Sequence, residues 1–397
     1  FCKSDLEKTK LKPLIEKAYE CFDNKEVVSL KKIGKINLLE LYNGPTLAFK
    51  DIAMQVIGNM YDELNFAKER KVNIVVATSG DTGSAAIAAL NDRKNINVFV
   101  LHPQNKISNI QRKIMTTIGS VNIFNLAVKG TFDDCQKIVK DMFSDNQFRE
   151  KINMSGVNSI NWARIICQIV YYFYAAFKFP NKILNFSVPT GNFGDVYAGY
   201  VAKKMGLSIN KLIVATNQND ILQRVINLGE YRPSSVKPSL TPSMDIQISS
   251  NFERLLYDIS NHDDKRVLSL MSKLKLEGSF KLSKKEVENI KKDFSAAKVS
   301  DNETLEIIKE FENKYNFILD PHTATAIGAS NKIKSNYETI IVGTAHPYKF
   351  LETIKKATGK QVDTPKQFLN LLDKKEKYDI IENKVSDVKN YILGKVA

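Results

Sequence analysis

The chain has 397 residues, of which 43% are hydrophobic and 26% are charged, and its formal net charge is +14. This composition is ordinary for a globular protein long enough to form more than one packed unit. Lysine is spread along the chain without basic clusters interleaved with aromatic residues, so no nucleic acid is expected as a partner. The four cysteines and four histidines are scattered. The cysteines predict no disulfides and indicate a reducing, cytoplasmic location. The histidines and cysteines together predict no metal site.

No membrane partner is expected either. The longest apolar run, residues 165–177, is too short to cross a bilayer and is interpreted as a buried helix. The first residues do not resemble a signal peptide. Because residue 1 is not methionine, it is not expected to be the natural N-terminus.

From residue 72 onward the hydrophobic pattern predicts alternating strands and helices, as in a parallel α/β protein. The predicted strands, in chain order, are residues 72–78, 96–101, 121–128, 183–188, 211–216 and 339–342. The predicted helices are residues 84–90, 108–118, 132–143, 158–177 and 195–205. Residues 230–250 contain several prolines and are expected to form a loop or lid. Residues 251–316 are expected to be helical, and the tail from residue 365 is expected to form an amphipathic helix.

One lysine has an unusual setting, because Lys50 follows a Gly-Pro turn and lies beside the apolar run 47–49. An ammonium group near apolar surroundings loses hydration and becomes a neutral, nucleophilic amine more readily. Such an amine can form a Schiff base with an aldehyde cofactor. The alternative is a lysine whose stem packs on apolar residues while its amine reaches solvent.

Two loops connect a predicted strand to a predicted helix. Residues 191–194, Gly-Asn-Phe-Gly, offer backbone N–H groups and a helix N-terminus that can hold a phosphate. They match neither a P-loop nor a dinucleotide fingerprint, and a plain turn is the alternative. Residues 79–83, Ser-Gly-Asp-Thr-Gly, occupy the same kind of position, and their hydroxyl groups could hold a carboxylate.

Two smaller groups complete the candidate residues. Asn158, Ser159 and Arg164 precede or open a predicted helix and could hold a second phosphate, the alternative being a helix cap with a surface arginine. Thr344 and His346 follow the last predicted strand, at the carboxyl end of the sheet where α/β proteins bind ligands. The neutral hydroxyl of Thr344 could face a ring nitrogen without forcing it to protonate.

Four motifs in order, at residues 44–51, 77–83, 188–195 and 343–347, resemble those of the threonine synthases. That family uses pyridoxal 5'-phosphate (PLP) and has the tryptophan synthase β-like fold. The resemblance implies an α/β protein of fold type II with two lobes, each a parallel sheet with helices on both faces.

The resemblance also implies a division of the chain into domains. Residues 41–70 and 158–397 would form a large PLP-binding domain, and residues 71–157 would form a small mobile domain. Members of this family usually carry a longer segment before the lysine motif, so residues 1–40 would be the remnant of a longer N-terminal segment.

By the same resemblance, Lys50 would form the internal aldimine with PLP and shuttle protons, and Thr344 would face the pyridine nitrogen. Asp81 stands where related enzymes often have an asparagine near the ring hydroxyl. The residues implied to bind the cofactor are Lys50, Asp81, Gly191, Asn192, Phe193, Gly194, Asp195 and Thr344. The residues implied to bind the substrate are Ser79, Gly80, Thr82, Asn158, Ser159 and Arg164.

The implied reaction converts O-phospho-L-homoserine and water to L-threonine and phosphate by β,γ-elimination and replacement. One alternative is a phospho-lyase of the same fold that releases a 2-oxo acid. Another is a non-catalytic basic binding protein on this scaffold, against which the retention of Lys50 argues. The sequence does not distinguish a monomer from a homodimer.

Overall fold

The structure is a computed structural model, and it describes residues 7–23, 26–63 and 70–396. Its helices are α1 (Lys8–Tyr19), α2 (Lys50–Glu63), α3 (Asp81–Leu90), α4 (Asn109–Thr116), α5 (Phe132–Ser144), α6 (Asn146–Lys151), α7 (Trp162–Phe177), α8 (Gly194–Lys204), α9 (Ile221–Leu228), α10 (Phe252–Ile259), α11 (Asp264–Glu277), α12 (Lys284–Asp293), α13 (Asp301–Tyr315), α14 (Pro321–Lys332), α15 (Leu351–Thr358) and α16 (Val385–Val396). Short 3-10 turns occupy Pro242–Met244, Pro347–Phe350 and Lys366–Phe368. Its strands are β1 (Ser29–Ile33), β2 (Ile36–Glu40), β3 (Val72–Ala77), β4 (Ile96–Pro103), β5 (Ile123–Val128), β6 (Met154–Ser155), β7 (Leu184–Pro189), β8 (Ile209–Thr216), β9 (Glu230–Tyr231), β10 (Phe280–Lys281), β11 (Phe294–Lys298), β12 (Glu338–Gly343) and β13 (Asp379–Ile381).

The described residues form two compact units. Unit 1 contains the described parts of Phe1–Val27, Tyr42–Arg164 and Asp363–Ala397, and unit 2 contains Val28–Leu41 and Ile165–Val362. Unit 1 therefore joins the predicted small domain to the residues just before it and to the C-terminal residues. The predicted assignment of residues 41–70 and 158–397 to a large domain and of residues 71–157 to a small mobile domain stays a prediction.

Unit 1 is built on a five-stranded parallel sheet in the order β13-β5-β4-β3-β6. Every residue of β3 is buried, as expected for a strand covered on both faces. Ile74 and Val76 contribute to one apolar cluster, whereas Val75 and Ala77 contribute to another. Because side chains alternate along a strand, the two clusters lie on opposite faces of the sheet. Helices α2 and α3 contribute to the first cluster, and α5 and α16 contribute to the second.

Unit 2 is built on a six-stranded sheet in the order β1-β2-β12-β7-β8-β11. Only the β1–β2 pair is antiparallel among these strands. The hairpin of β1 and β2, which the sequence pattern did not predict, reaches this sheet through the parallel pairing of β2 with β12. Helix α14 packs against β7, β8 and β12, and its Ala324 and Ile327 belong to the main apolar cluster of the unit.

Three sequence predictions about the later elements are wrong in part. The region 251–316 is not wholly helical, since β11 within it extends the sheet by pairing with β8. The tail from residue 365 is not one helix, since β13 pairs with β5 and only α16 is helical at the end. Both strands are short and have charged neighbours, so pairing with a sheet rather than local propensity forms them. The helix predicted from residue 158 begins only at Trp162.

Among residues 7–23, 26–63 and 70–396, the structure contains no helix with the length and apolar character needed to span a bilayer. The same residues bring together no group of three His, Cys, Asp or Glu side chains that could hold a metal ion.

His102, near the end of β4, is a buried titratable residue of unit 1. Its side chain is 0% exposed, and its ring lies edge-on to that of Tyr378, with 6.2 Å between the ring centroids. Burial lowers the pKa of the imidazole from 6.5 to about 4, and nearby Arg112 also lowers it. The folded protein therefore keeps His102 neutral at a pH where the unfolded chain protonates it.

We expect this residue to make stability depend on pH. Stability from a lowered histidine pKa is present above pH 6.5 and is lost as the pH falls toward 4, because the unfolded chain then binds the extra proton. Between about pH 7.5 and about pH 5 the loss should be about 2 kcal/mol. Urea unfolding of wild type and H102Q at both pH values gives the free energy of unfolding and therefore this loss. Comparing the two pH values within each protein removes the packing cost of the substitution, and equal pH dependence in both proteins would contradict the assignment.

Candidate active site

The turn before α2 places Lys50 at the first position of that helix. The Asp51 carboxylate accepts hydrogen bonds from the backbone N–H of Thr46 at 2.8 Å and from its hydroxyl at 2.7 Å. A Cβ on Gly44 would lie 2.5 Å from the Asp51 Cβ, so the turn requires glycine there. Leu47 has a φ of 56°, in the left-handed region. These contacts give the 44–51 motif a physical purpose, which is to fix the backbone that carries Lys50.

Lys50 is largely buried, and its amine has an acidic partner in unit 1. Its side chain is 12% exposed, and its Nζ lies 3.2 Å from Oδ2 of Asp81, whose side chain is 4% exposed. The same Nζ lies 4.6 Å from the ring centroid of Phe49. A buried amine beside a carboxylate can hold or release a proton, as a general acid or base must. The amine is thus paired with a carboxylate, which the alternative of an amine that only reaches solvent does not explain.

Asp81 is held on its other side by Gln111 of α4. The Gln111 Nε2 donates to Oδ1 of Asp81 at 2.8 Å, and Ser108 Oγ donates to the Gln111 side-chain oxygen at 3.0 Å. Gly80 has a φ of 130°, and a Cβ there would lie 2.7 Å from Cδ of Gln111. Hydrogen bonds thus connect Ser108 to Gln111, Gln111 to Asp81, and Asp81 to the Lys50 amine.

Sequence reasoning missed Gln111. A signal for it exists, because Ser108 and Gln111 have the Ser-x-x-Gln spacing of a capping box at the start of α4. In the structure, the Gln111 backbone N–H donates to Ser108 Oγ at 3.1 Å. The pattern predicts a helix start, but it does not predict that the glutamine amide reaches an aspartate in another helix.

The loop before α3 is shaped by Thr78. Its hydroxyl accepts hydrogen bonds from the backbone N–H groups of Gly80 and Gly83, both at 2.9 Å. Ser79 and Thr82 in this loop are half-buried. Helix α3 begins at Asp81, earlier than predicted, which places Asp81 in its first turn.

Asn158 lies close to the same loop in unit 1. Its side-chain amide donates to the carbonyl of Ala77, the last residue of β3, at 3.2 Å. Arg164 is 2% exposed, and its Nη1 donates to the Val157 carbonyl at 3.1 Å. Arg164 is therefore not the surface arginine that was the alternative. Ser159 is half-buried and, like Asn158, precedes α7.

The 191–194 loop of unit 2 connects β7 to α8, as predicted. Phe193 occupies the N-cap position of α8 with a φ of 65°, and its side chain has no oxygen that could cap the helix. A left-handed φ at a bulky residue is strained by about 1–3 kcal/mol, and such strain clusters at functional sites. The first-turn N–H groups of α8 are thus presented at a positively polarised helix end.

Asp195, in the first turn of α8, engages two tyrosines of α7. Its Oδ1 accepts hydrogen bonds from the hydroxyl groups of Tyr171 at 2.5 Å and Tyr172 at 2.8 Å. Burial raises the pKa of Tyr172 well above its ordinary value, and the Asp195 charge raises it further, so this hydroxyl stays a donor. The carboxylate therefore serves at least to join α8 to α7.

Thr344 directly follows β12 and is 6% exposed, at the carboxyl end of the strand as the sequence predicts. His346 caps the next 3-10 turn, where its Nδ1 accepts from the backbone N–H of Tyr348 at 3.1 Å. Burial lowers the pKa of His346 to about 4, so the ring is neutral at physiological pH. His346 thus orders the backbone that follows Thr344.

Comparison with known proteins shows the class of protein to which the chain belongs. A family model described as "Pyridoxal-phosphate dependent enzyme" matches residues 30–343, and one described as "Threonine synthase, C-terminal" matches residues 323–392. The first match covers more than half of the chain and is that of a PLP-dependent enzyme.

Individual relatives show which family of PLP-dependent enzymes the chain belongs to. Threonine synthase of Pseudomonas aeruginosa is 42% identical over 387 residues, covering 96% of this chain and 82% of the relative. The crystal structure of PLP-bound threonine synthase from Brucella melitensis has a TM-score of 0.92 and 42% identity, covering 98% of this chain and 84% of that one. The structure of yeast threonine synthase has a TM-score of 0.89 and 41% identity, with the same coverage. The chain belongs to the threonine synthase family.

Family membership confirms the predicted fold type II class, the PLP cofactor and the assignment as a PLP-dependent lyase. The residues present fit this cofactor in chemical terms. Lys50 supplies a buried amine for the aldehyde, and the 191–194 loop supplies an uncapped helix N-terminus for the phosphate. The roles of individual residues stay predictions.

Proposed function

We propose that this protein converts O-phospho-L-homoserine and water to L-threonine and inorganic phosphate. Its family membership supports this reaction, and the observation that carries it is the buried Lys50 amine 3.2 Å from the Asp81 carboxylate. When bound, PLP supplies an electron sink for charge that develops on substrate carbons. The residues of the chain must then move protons, hold the substrate, and admit the reacting water while excluding bulk solvent.

Lys50 is the proposed proton carrier. Its Nζ would take the proton from the substrate Cα and return a proton to the substrate chain later in the cycle. The reaction also needs loss of a Cβ proton, departure of phosphate from Cγ and addition of water at Cβ. Asp81 is proposed to fix the position of the amine between these steps, through the 3.2 Å contact that Gln111 braces.

The remaining predicted residues are proposed to bind anionic groups. The loop from Gly191 to Asp195 would receive the cofactor phosphate at the N-terminus of α8, and Thr344 would face the pyridine nitrogen. Ser79, Gly80 and Thr82 would hold the substrate carboxylate, which the half-buried, hydroxyl-bearing Ser79 and Thr82 support.

The substrate phosphate is assigned to a separate group. Asn158, Ser159 and Arg164 are proposed to hold it, because Arg164 provides a buried positive charge in unit 1 and bonds to the carbonyl of Val157, the residue before Asn158. We also propose a cytoplasmic location, which Cys21 and Cys135 support because neither forms a disulfide in the described part of the chain.

The test is incubation of the PLP-loaded protein with O-phospho-L-homoserine, followed by measurement of threonine, 2-oxobutyrate and phosphate in one sample. Threonine and phosphate in equal amounts are expected. Phosphate with 2-oxobutyrate instead of threonine would replace the proposal with a phospho-lyase. Absence of all three products from a protein that binds PLP would contradict both enzymatic functions.

A further inference from the structure

A segment of unit 2 far along the chain holds the carbonyl groups of the 191–194 loop. The Ser249 hydroxyl donates to the Gly191 carbonyl at 2.8 Å. Asn251 donates twice to the Asn192 carbonyl, from its backbone N–H at 3.1 Å and from its side-chain amide at 3.0 Å. Two consecutive carbonyl oxygens are thus held by three hydrogen bonds from residues 249–251.

Asn251 serves the loop rather than its own helix. It occupies the N-cap position of α10, where an asparagine side chain ordinarily accepts a hydrogen bond from the first turn, yet it makes no such capping bond. Its amide nitrogen instead reaches Asn192, and its amide oxygen accepts from Nε of Arg254 at 3.1 Å. Because Arg254 can only donate, it orients the amide with the nitrogen toward the loop. The side chain is 0% exposed.

Aromatic packing holds the loop from the same direction. The Phe193 ring lies edge-on to that of Phe252, the residue after Asn251, with 5.5 Å between centroids. It also packs against Phe294 at 5.4 Å. These contacts stabilise the left-handed backbone of Phe193, which would otherwise relax.

Holding these carbonyl groups also fixes the direction of the next N–H groups. In a planar trans peptide, the C=O and the following N–H point in opposite directions. The carbonyl of Gly191 is directed to Ser249, so the N–H of Asn192 points away from it. The same reasoning directs the N–H of Phe193 away from Asn251. Two donors are thereby presented on the side of the loop opposite residues 249–251.

We propose that Ser249 and Asn251 are positioning residues for the cofactor phosphate. They hold two carbonyl oxygens away from the anion and present two N–H donors to it, beside the N-terminus of α8. This inference deepens the proposed function, because it rests on the 191–194 loop receiving the phosphate of PLP.

The test compares PLP with pyridoxal, which has the aldehyde but no phosphate. Apo-protein is titrated with each compound, and the visible absorbance of the aldehyde bound to Lys50 gives both dissociation constants. Wild type should prefer PLP strongly. N251A should reduce this preference about tenfold by weakening PLP binding while leaving pyridoxal binding unchanged. S249A, which removes one hydrogen bond, should reduce it about threefold.

Asn185 provides a matched control in the same unit. It is also an asparagine with 0% exposure, and its amide donates to Ser335 Oγ at 2.8 Å from β7, the strand that leads into the loop. N185A removes comparable buried hydrogen bonds, so it should lower stability without changing the preference for PLP over pyridoxal.

The possible outcomes separate this inference from the assignment on which it rests. A wild-type protein that binds PLP no better than pyridoxal would overturn the phosphate role of the loop and the inference with it. A strong wild-type preference that N251A and S249A both retain would overturn the inference alone. Equal weakening of PLP and pyridoxal binding in these variants would show a general packing role and would also overturn it.

Discussion

Replacing Lys50 with alanine is expected to lower threonine formation on the order of 10³-fold or more, because the variant loses the amine beside Asp81 that is proposed to carry the proton. The variant should also lose the covalent attachment of PLP, since alanine has no nucleophile for the aldehyde. Two measurements check this expectation: steady-state production of threonine, and the fraction of cofactor that borohydride fixes to the protein.

Lys389 provides a matched control for this experiment. It also belongs to unit 1, pairs with an aspartate, Asp145, at 2.5 Å, and lies 5.0 Å from the ring centroid of Phe148. K389A removes the same charge and similar contacts away from the proposed chemistry, so it should retain wild-type turnover. Substantial threonine formation by K50A would show that Lys50 is not the proton carrier.

The parts of the site that the sequence predicts are those built from local chain. Lys50 and its Gly-Pro turn lie within a few residues, and Asp51 closes that turn through Thr46. The 191–194 loop likewise lies between one strand and the next helix. In both segments, glycine spacing and apolar runs are visible without knowledge of the fold.

The parts that the sequence does not predict depend on distant contacts. Gln111 meets Asp81 across 30 residues of chain, and Asn251 meets Asn192 across 59. No local sequence pattern predicts which residue Gln111 or Asn251 contacts, because these contacts form only when distant segments pack together. An N-cap asparagine such as Asn251 would be predicted only to begin its helix.

The same physical reason explains the fold predictions. The buried strand β3 was predicted because a continuous apolar run records burial on both faces. The strand β11, Phe-Ser-Ala-Ala-Lys, has little β propensity of its own and is formed by its register with β8. The three-residue strand β13 similarly depends on β5 as a template.

Replacing Asp81 with asparagine is expected to lower kcat by about 10²-fold while PLP stays bound through Lys50, because a displaced catalytic group costs that order of rate. The substitution keeps the shape of the side chain but removes its charge. In the wild-type protein, the Asp81 carboxylate accepts hydrogen bonds from both the Lys50 amine and the Gln111 amide. An asparagine at this position has a single acceptor oxygen, which can accept from only one side. Its NH₂ group would then face the other donor without forming a hydrogen bond.

The kinetic pattern distinguishes the proposed role from substrate binding. If Asp81 positions Lys50, D81N should lower kcat with little change in the KM for O-phospho-L-homoserine, whereas loss of a substrate contact alone would raise KM and preserve kcat. The control D145N changes the aspartate that pairs with Lys389, and it should keep wild-type kinetics. Wild-type kcat in D81N would show that the charge beside Lys50 is dispensable. The buried pair would then be a packing feature, since a buried ion pair is not by itself evidence of function.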